Sequence, residues 1–326
     1  VVEGLGTLIA TSNGDLTSAG NLDVGEKSTG LLGTYDNKTI VAKSIKNNGG
    51  TLTVHSGGIG LAAVKGTSNP LAAVTIINDG IINVSGKSSI DPFTPSIGIY
   101  TDVADIVSTK NINVGDKGIG IYSNYNAVST SIQNNEMTIT GTEGIGVYLK
   151  GSIHDLSVNN ITSTTAGNTG LVLDGVTSNI NAGTIALGNE SVGVMATGTT
   201  SSTIDGSITV GDSGAGKSAI GVVAKDSNII LAGTTAITAG DKGIGVYAEG
   251  TGTVTVTDTG NITVGTNGIY MYSKGTVLNF TGDITADNQI GIVAEGGSVT
   301  ANGTSTIIAK GGGIGVYVQN TAPSFI

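Results

Sequence analysis

Gly144-Ile145-Gly146-Val147-Tyr148-Leu149-Lys150-Gly151 is one copy of a phrase that returns along the whole chain. It reads GIGLAAVKG from Gly58, SIGIYTD from Ser96 and GIGIYSN from Gly118, then TGLVLDG from Thr169, SVGVMATG from Ser191 and AIGVVAKD from Ala219. GIGVYAEG from Gly243, GIYMYSKG from Gly268, QIGIVAEG from Gln289 and GIGVYVQN from Gly313 complete the set. From Gly98 to Gly315 the phrase advances in steps of about 24 residues. TGLLGTYD from Thr29 and TLIATSNG from Thr7 are degenerate earlier copies. Self-similarity at a fixed period of this length marks a repeat architecture.

Two further short apolar stretches separate successive phrases. One resembles TVTVTDTGN from Thr253, the other ITAGDKG from Ile237 or ITVGTNG from Ile262. Gly, Asn and Asp bound them, residues that tolerate left-handed backbone and close tight turns. Period-two alternation dominates, and no segment carries helical spacing. Three strands per repeat of about 24 residues predict an all-β, right-handed parallel β-helix of about a dozen coils, in one continuous segment over residues 1–326. With neighbouring strands about 4.8 Å apart, a dozen rungs predict a length on the order of 55–60 Å. The rhythm breaks at about 65–97, where one step lengthens to 38 residues, and again in the 28-residue step before Gly221.

Alternation within GIGVYLKG puts Ile145, Val147 and Leu149 on one face and Gly146, Tyr148 and Lys150 on the other. The charge carried at the lysine position (Asp102, Lys150, Asp174, Lys225, Glu249, Lys274, Glu295) marks the second face as outward. Ile59, Ile97, Ile119, Ile145, Val192, Ile220, Ile244, Ile269, Ile290 and Ile314 are then expected to form an inward row. Tyr100, Tyr122, Tyr148, Tyr247, Tyr272 and Tyr317 occupy an outward row, with Val172, Met195, Val223 and Val293 filling it elsewhere. Such a row either stiffens the sheet or serves as a semi-apolar contact stripe, able to stack on sugars or grip a protein.

Composition excludes several classes. Of 326 residues 54 are glycine and 4 proline, neither collagen-like nor, with so much Val, Ile and Thr, disordered. The net charge is −10 and the basic residues are all lysine, which argues against nucleic acid. No cysteine is present, which removes disulfides and thiolate metal sites. No apolar run approaches the length of a membrane-spanning helix, so no direct membrane insertion of this segment is expected.

The motifs that resemble chemistry read better as turns. Residues 211–218, GDSGAGKS, fit the phosphate-loop pattern, but the strand phrase IGVVAKD follows where a helix is required. Gly57-Gly58-Ile59-Gly60 and Gly312-Gly313-Ile314-Gly315 begin like calcium-binding nonapeptides but carry Ala62 and Tyr317 where a ligand aspartate belongs. His55 and His154 stand about four coils apart, so no metal site, cofactor or catalytic triad is expected. A β-helical polysaccharide-active enzyme needs clustered carboxylates with a cation, whereas here the acids are spread one or two per coil. Loops that break a scaffold's rhythm often carry function. Asp91, Pro92, Phe93 and Pro95, in the long step, are therefore candidate contact residues together with the tyrosine row.

The GIGVY strand followed by TVxV and GxITVGDKG resembles the passenger repeats of large fusobacterial autotransporter adhesins, the RadD-like group, from about Thr29 to Gln319. The resemblance implies a right-handed β-helical arm, non-enzymatic, exported through an outer-membrane barrel to the cell surface. Its implied partners are host-cell surface proteins or glycans, or partner bacteria, and it would continue into further coils of the same chain. A stalk carrying a distal binding tip is the alternative reading.

Overall fold

The computed structural model describes residues 6–86, 94–124, 130–151, 154–198, 201–319 and 324–325. It is all-β, with one single-turn 3₁₀ segment at Thr259–Asn261 and no α-helix among the described residues. The strands form a parallel β-solenoid of about 12 turns and about 24 residues per turn. The chain divides into two compact units, Val1–Ser163 and Thr164–Ile326.

In the first unit the recurring phrase supplies the first strand of each coil: Thr7–Ser12, Thr29–Tyr35, Ile59–Lys65, Ile97–Thr101, Ile119–Asn124 and Ile145–Lys150. These stack in parallel register, with Tyr100 opposite Tyr122 and Tyr122 opposite Tyr148. Shorter second and third strands, such as Val74–Asn78 and Ile82–Val84, form the other faces. In Thr130–Ile139 and His154–Thr162 the two merge into one bent strand. His154 therefore opens a strand.

The second unit repeats the plan, its first strands running from Thr169–Asp174 to Ile314–Gln319. Residues 211–218 form an irregular turn in which the Gly214 N–H donates to the Lys217 carbonyl at 2.9 Å. Strand Ile220–Lys225 follows it directly, with no helix to bind phosphate.

The core differs from the expected one in phase. Val147 and Leu149 are wholly buried and Lys150 is exposed, as alternation predicts. Ile145, however, is only half-buried, as are Ile59, Val192, Ile220, Ile244, Ile269 and Ile290, and Ile314 is exposed, whereas Ile97 and Ile119, at 8% exposure, are buried as expected. The glycine that follows takes the inward direction. A Cβ on Gly120 would lie 2.6 Å from the Met137 sulfur and 2.7 Å from the Gly146 carbonyl oxygen. On Gly245 it would meet Ile262 Cγ2 and the Tyr270 carbonyl oxygen, both at 2.7 Å. The strand register passes over this position, pairing Ile119 with Ile145 and then Ile121 with Val147. The chain bends there, so glycine and the residue after it both face inward.

Tyr270 stands in the glycine's place in one coil. Its ring is half-buried and its hydroxyl donates to the Thr285 carbonyl at 3.0 Å. In that coil the third-face ladder is interrupted: Ile284–Asp287 pairs with Ile307–Lys310 in a separate two-stranded sheet. Gln289 Nε2 donates to the Val264 carbonyl at 3.2 Å, occupying an acceptor that a ladder bond would otherwise use.

Polar residues also enter the core. Asn47 Nδ2 donates to Asn78 Oδ1 at 2.9 Å, and Asn78 Nδ2 to Ser108 Oγ at 3.1 Å. Asn134 sits above Ser108 in this row, 3% exposed, with neither amide atom hydrogen-bonded.

Candidate contact surface

The first strands present the tyrosine row. In the first unit Tyr100, Tyr122 and Tyr148 occupy consecutive coils, all half-buried. Their ring centroids lie 5.5 and 5.0 Å apart, edge to face at 66° and 83°. Both geometries fall within the favourable range for aromatic pairs, each adding about 0.5–1.5 kcal/mol beyond area burial. In the second unit Tyr247 and Tyr272 are stacked at 5.1 Å and 28°. Tyr317, in the last coil, is 45% exposed. The row is not evenly exposed, because smaller members sink between larger ones: Ala62, opposite Tyr100, is 2% exposed, and Val293, opposite Tyr272, is 5%.

Charges frame the row. Lys225, Glu249, Lys274 and Glu295 align in register with alternating sign, and Lys274 Nζ lies 3.0 Å from Glu249 Oε1. The Tyr247 hydroxyl donates to Glu249 Oε2 at 3.2 Å. Burial and the nearby Glu249 raise the Tyr247 phenol, and burial and Glu295 raise that of Tyr272, so both stay protonated donors at neutral pH. In the first unit burial raises Asp102, while its carboxylate accepts the Lys65 N–H at 2.6 Å. Asp102 is thus a half-buried turn residue and not a freely solvated charge.

Of the loop candidates, Asp91, Pro92 and Phe93 lie outside the described residues, and Pro95 is half-buried just before strand Ile97–Thr101. The structure does not bring Pro95 into the tyrosine row.

Two concavities were not foreseen. Where second and third strands meet, Val107, Thr109, Gln133, Asn135, Ser157 and Asn159 line a corner of about 500 Å³. Asn159 Nδ2 donates there to Asn135 Oδ1 at 2.8 Å. The other, of about 380 Å³, holds His55 and Asp23 with Nε2 and Oδ1 2.6 Å apart. The two come from adjacent coils, 32 residues apart in the chain. No sequence spacing announces that pair, because neither residue recurs with the repeat. Among the described residues no three His, Cys, Asp or Glu gather closely enough to hold a metal ion. No helix among them is long and apolar enough to cross a membrane.

Compared with models of known families, with curated proteins and with solved structures, the chain matches none. What the described surface offers chemically is stacking, hydrogen bonding and apolar contact, spread along one face of each unit.

Proposed function

We propose that this chain is a segment of a non-enzymatic surface adhesin, an exported passenger that attaches a bacterium to host cells or to other bacteria. The observation that carries the reading is the ladder Tyr100–Tyr122–Tyr148, three outward phenols repeating at 5.0–5.5 Å on consecutive rungs. A ladder of this kind suits many weak contacts with a repeating or extended partner better than one deep pocket, and multivalency raises the avidity of such contacts. The GIGVY and GDKG phrases supply the resemblance to autotransporter passengers, and with it the expectation of export to the cell surface and of further coils in the same chain.

The test is binding of the purified chain to host epithelial cells and to partner bacteria, beside a Tyr100→Ser/Tyr122→Ser/Tyr148→Ser variant. Saturable binding that falls at least tenfold in the variant, with its fold intact, supports the reading. A folded wild-type chain that binds neither would leave the stalk reading in its place. The regular register of the first strands within each unit favours that alternative, since an uninterrupted ladder is also what a spacer needs.

A further inference from the structure

One row of inward side chains runs along the ends of the second strands in the first unit: Ser18, Asn47, Asn78, Ser108 and Asn134, each opposite the next in register. All five are buried. In the earlier coils the row tethers the corner that leads into the third strand. Ser18 Oγ donates to the Gly20 carbonyl at 3.5 Å, Asn47 Nδ2 to the Gly50 carbonyl at 3.1 Å and Ser108 Oγ to the Lys110 carbonyl at 3.1 Å. Those corners span residues 19–21, 48–51 and 109–111. One coil on, the strand runs unbroken, and only Asn135 and Glu136 separate Asn134, opposite Ser108, from Met137, opposite Ile112. The next coil keeps the shortened corner, with Asn134 opposite Val158 and Met137 opposite Ile161. A corner cut short in this way turns no carbonyl inward, and both amide atoms of Asn134 are left without a partner.

The hollow of about 500 Å³ lies at this step. Thr109 lines it from the coil with the wider corner, and Gln133, Asn135, Ser157 and Asn159 line it from the two coils with the shortened one. Asn159 Nδ2 donates to Asn135 Oδ1 at 2.8 Å, and Asn135 Nδ2 to the Thr109 carbonyl at 3.4 Å. These bonds hold the two asparagines along the wall. The Gln133 amide, the Ser157 hydroxyl and Asn159 Oδ1 bond to no other described residue. The wall therefore offers donors and acceptors to a ligand without first giving up bonds of its own. An orphaned buried amide is a local fault that proteins retain chiefly where a site depends on it.

We propose that this hollow is a binding subsite for an uncharged glycan. Each sugar hydroxyl both donates and accepts, which amide and hydroxyl side chains match. Ions match poorly, because no charged side chain lines the hollow. Of the charges flanking it in chain or register, Asp79, Asp105, Glu136 and Asp155 outnumber Lys46 and Lys110, which opposes an anion. A cation gains little from them, since Lys46 Nζ lies 3.0 Å from Asp79 and the Ser131 N–H donates to Asp105 at 2.8 Å. A peptide side chain would find half-buried Val107 as its one apolar neighbour and no aromatic ring. A peptide backbone finds no free strand edge. Asp105–Ser108 pairs with Val74–Asn78 and with Thr130–Ile139, which pairs in turn with His154–Thr162. Without a ring to stack on, one subsite binds weakly and suits multivalent display. The inference deepens the adhesive reading by naming the class of partner, and rests on it for the origin of that glycan, but it concerns a surface separate from the tyrosine ladder.

The test is saturation-transfer NMR of the full chain with short oligomers of mannose, galactose or N-acetylglucosamine, beside sialylated, sulfated and cationic glucosamine oligomers. Gln133→Ala/Asn159→Ala removes the polar groups, Ser157→Leu fills the hollow, and the tyrosine variant is run in parallel. The expected result is saturable binding of at least one neutral oligomer, weakened at least tenfold in both hollow variants at unchanged melting temperature and kept in the tyrosine variant. In the wild-type chain the side-chain amide signals of Gln133 and Asn159 should shift on addition of that sugar, a readout that needs no variant. A folded wild-type chain that binds no neutral oligomer, or one whose Gln133 and Asn159 signals stay still on binding, would overturn the proposal. So would binding that both hollow variants retain, or a preference for the charged oligomers. Cell binding measured beside it separates the two claims. Cells bound without any neutral sugar would sink the subsite and leave the adhesive reading standing, whereas a neutral sugar bound at the hollow without cells would do the reverse.

Discussion

Replacing Gly245 by alanine separates two opposite accounts of the repeat. If the glycine of GIGVY faced solvent, alanine would stabilise the strand by about 0.5–1 kcal/mol, because glycine loses more backbone freedom on folding. In the structure the new methyl carbon would lie 2.7 Å from Ile262 Cγ2 and 2.7 Å from the Tyr270 carbonyl oxygen. Neither neighbour retreats easily: Ile262 is 4% exposed and held in the third-face ladder opposite Ile237, and the oxygen belongs to the next rung's backbone. Overpacking of this kind typically costs about 1–3 kcal/mol. For a unit of this size that lowers the melting temperature by roughly 2–12 °C. Gly216→Ala is the control, since a Cβ there meets nothing within 4 Å, and its expected effect lies within about 0.5 kcal/mol. Thermal unfolding followed by circular dichroism reads both variants. A Gly245→Ala protein that melts at or above the wild-type temperature would refute the inward glycine, and with it the bend that sets the core.

Asn134 is a buried amide with no partner, and Val158 occupies the matching place one coil on. Asn134→Val is therefore expected to stabilise the protein by about 1–2 kcal/mol, and Asn78→Val, which breaks two side-chain bonds, to destabilise it similarly, in urea titrations. The carboxyl of Asp102 is raised by burial above its ordinary 3.8, so its contribution to stability is lost as pH rises through the folded value. Asp102→Asn should consequently raise the melting temperature at pH 7, and the gain should vanish as pH approaches 3.8. Asp15, held low by the Ser44 N–H and Lys43, and Asp79, held low by Lys46, act in the opposite sense. Their contribution is present above 3.8 and disappears as pH falls through their lowered values, so Asp79→Asn should flatten the loss of stability in acid.

The period of about 24, the three short strands per turn and the parallel stacking were legible in the chain itself, because a repeat that cannot bury its own apolar face must pack on its neighbours. So was the outward direction of Tyr148 and Lys150, since charge at one alternating position orients every residue in the straight part of the strand. The glycine was misplaced because alternation assumes a straight strand, whereas a bend puts two consecutive residues on one face and shifts the phase of all that precede it. Whether the backbone bends is settled by contact with Met137 and Ile262 on another face, and no local pattern carries that. Asn47, Asn78 and Ser108 meet only through the register of coils some 30 residues apart, as do His55 and Asp23. The two long corner loops between first and second strands, residues 36–42 and 66–73, each read as an irregularity on its own. Packing one against the other buried Thr39 and left Ile40, Val41 and Leu71 in water, because the backbone bonds between the loops fix which side chains can turn inward.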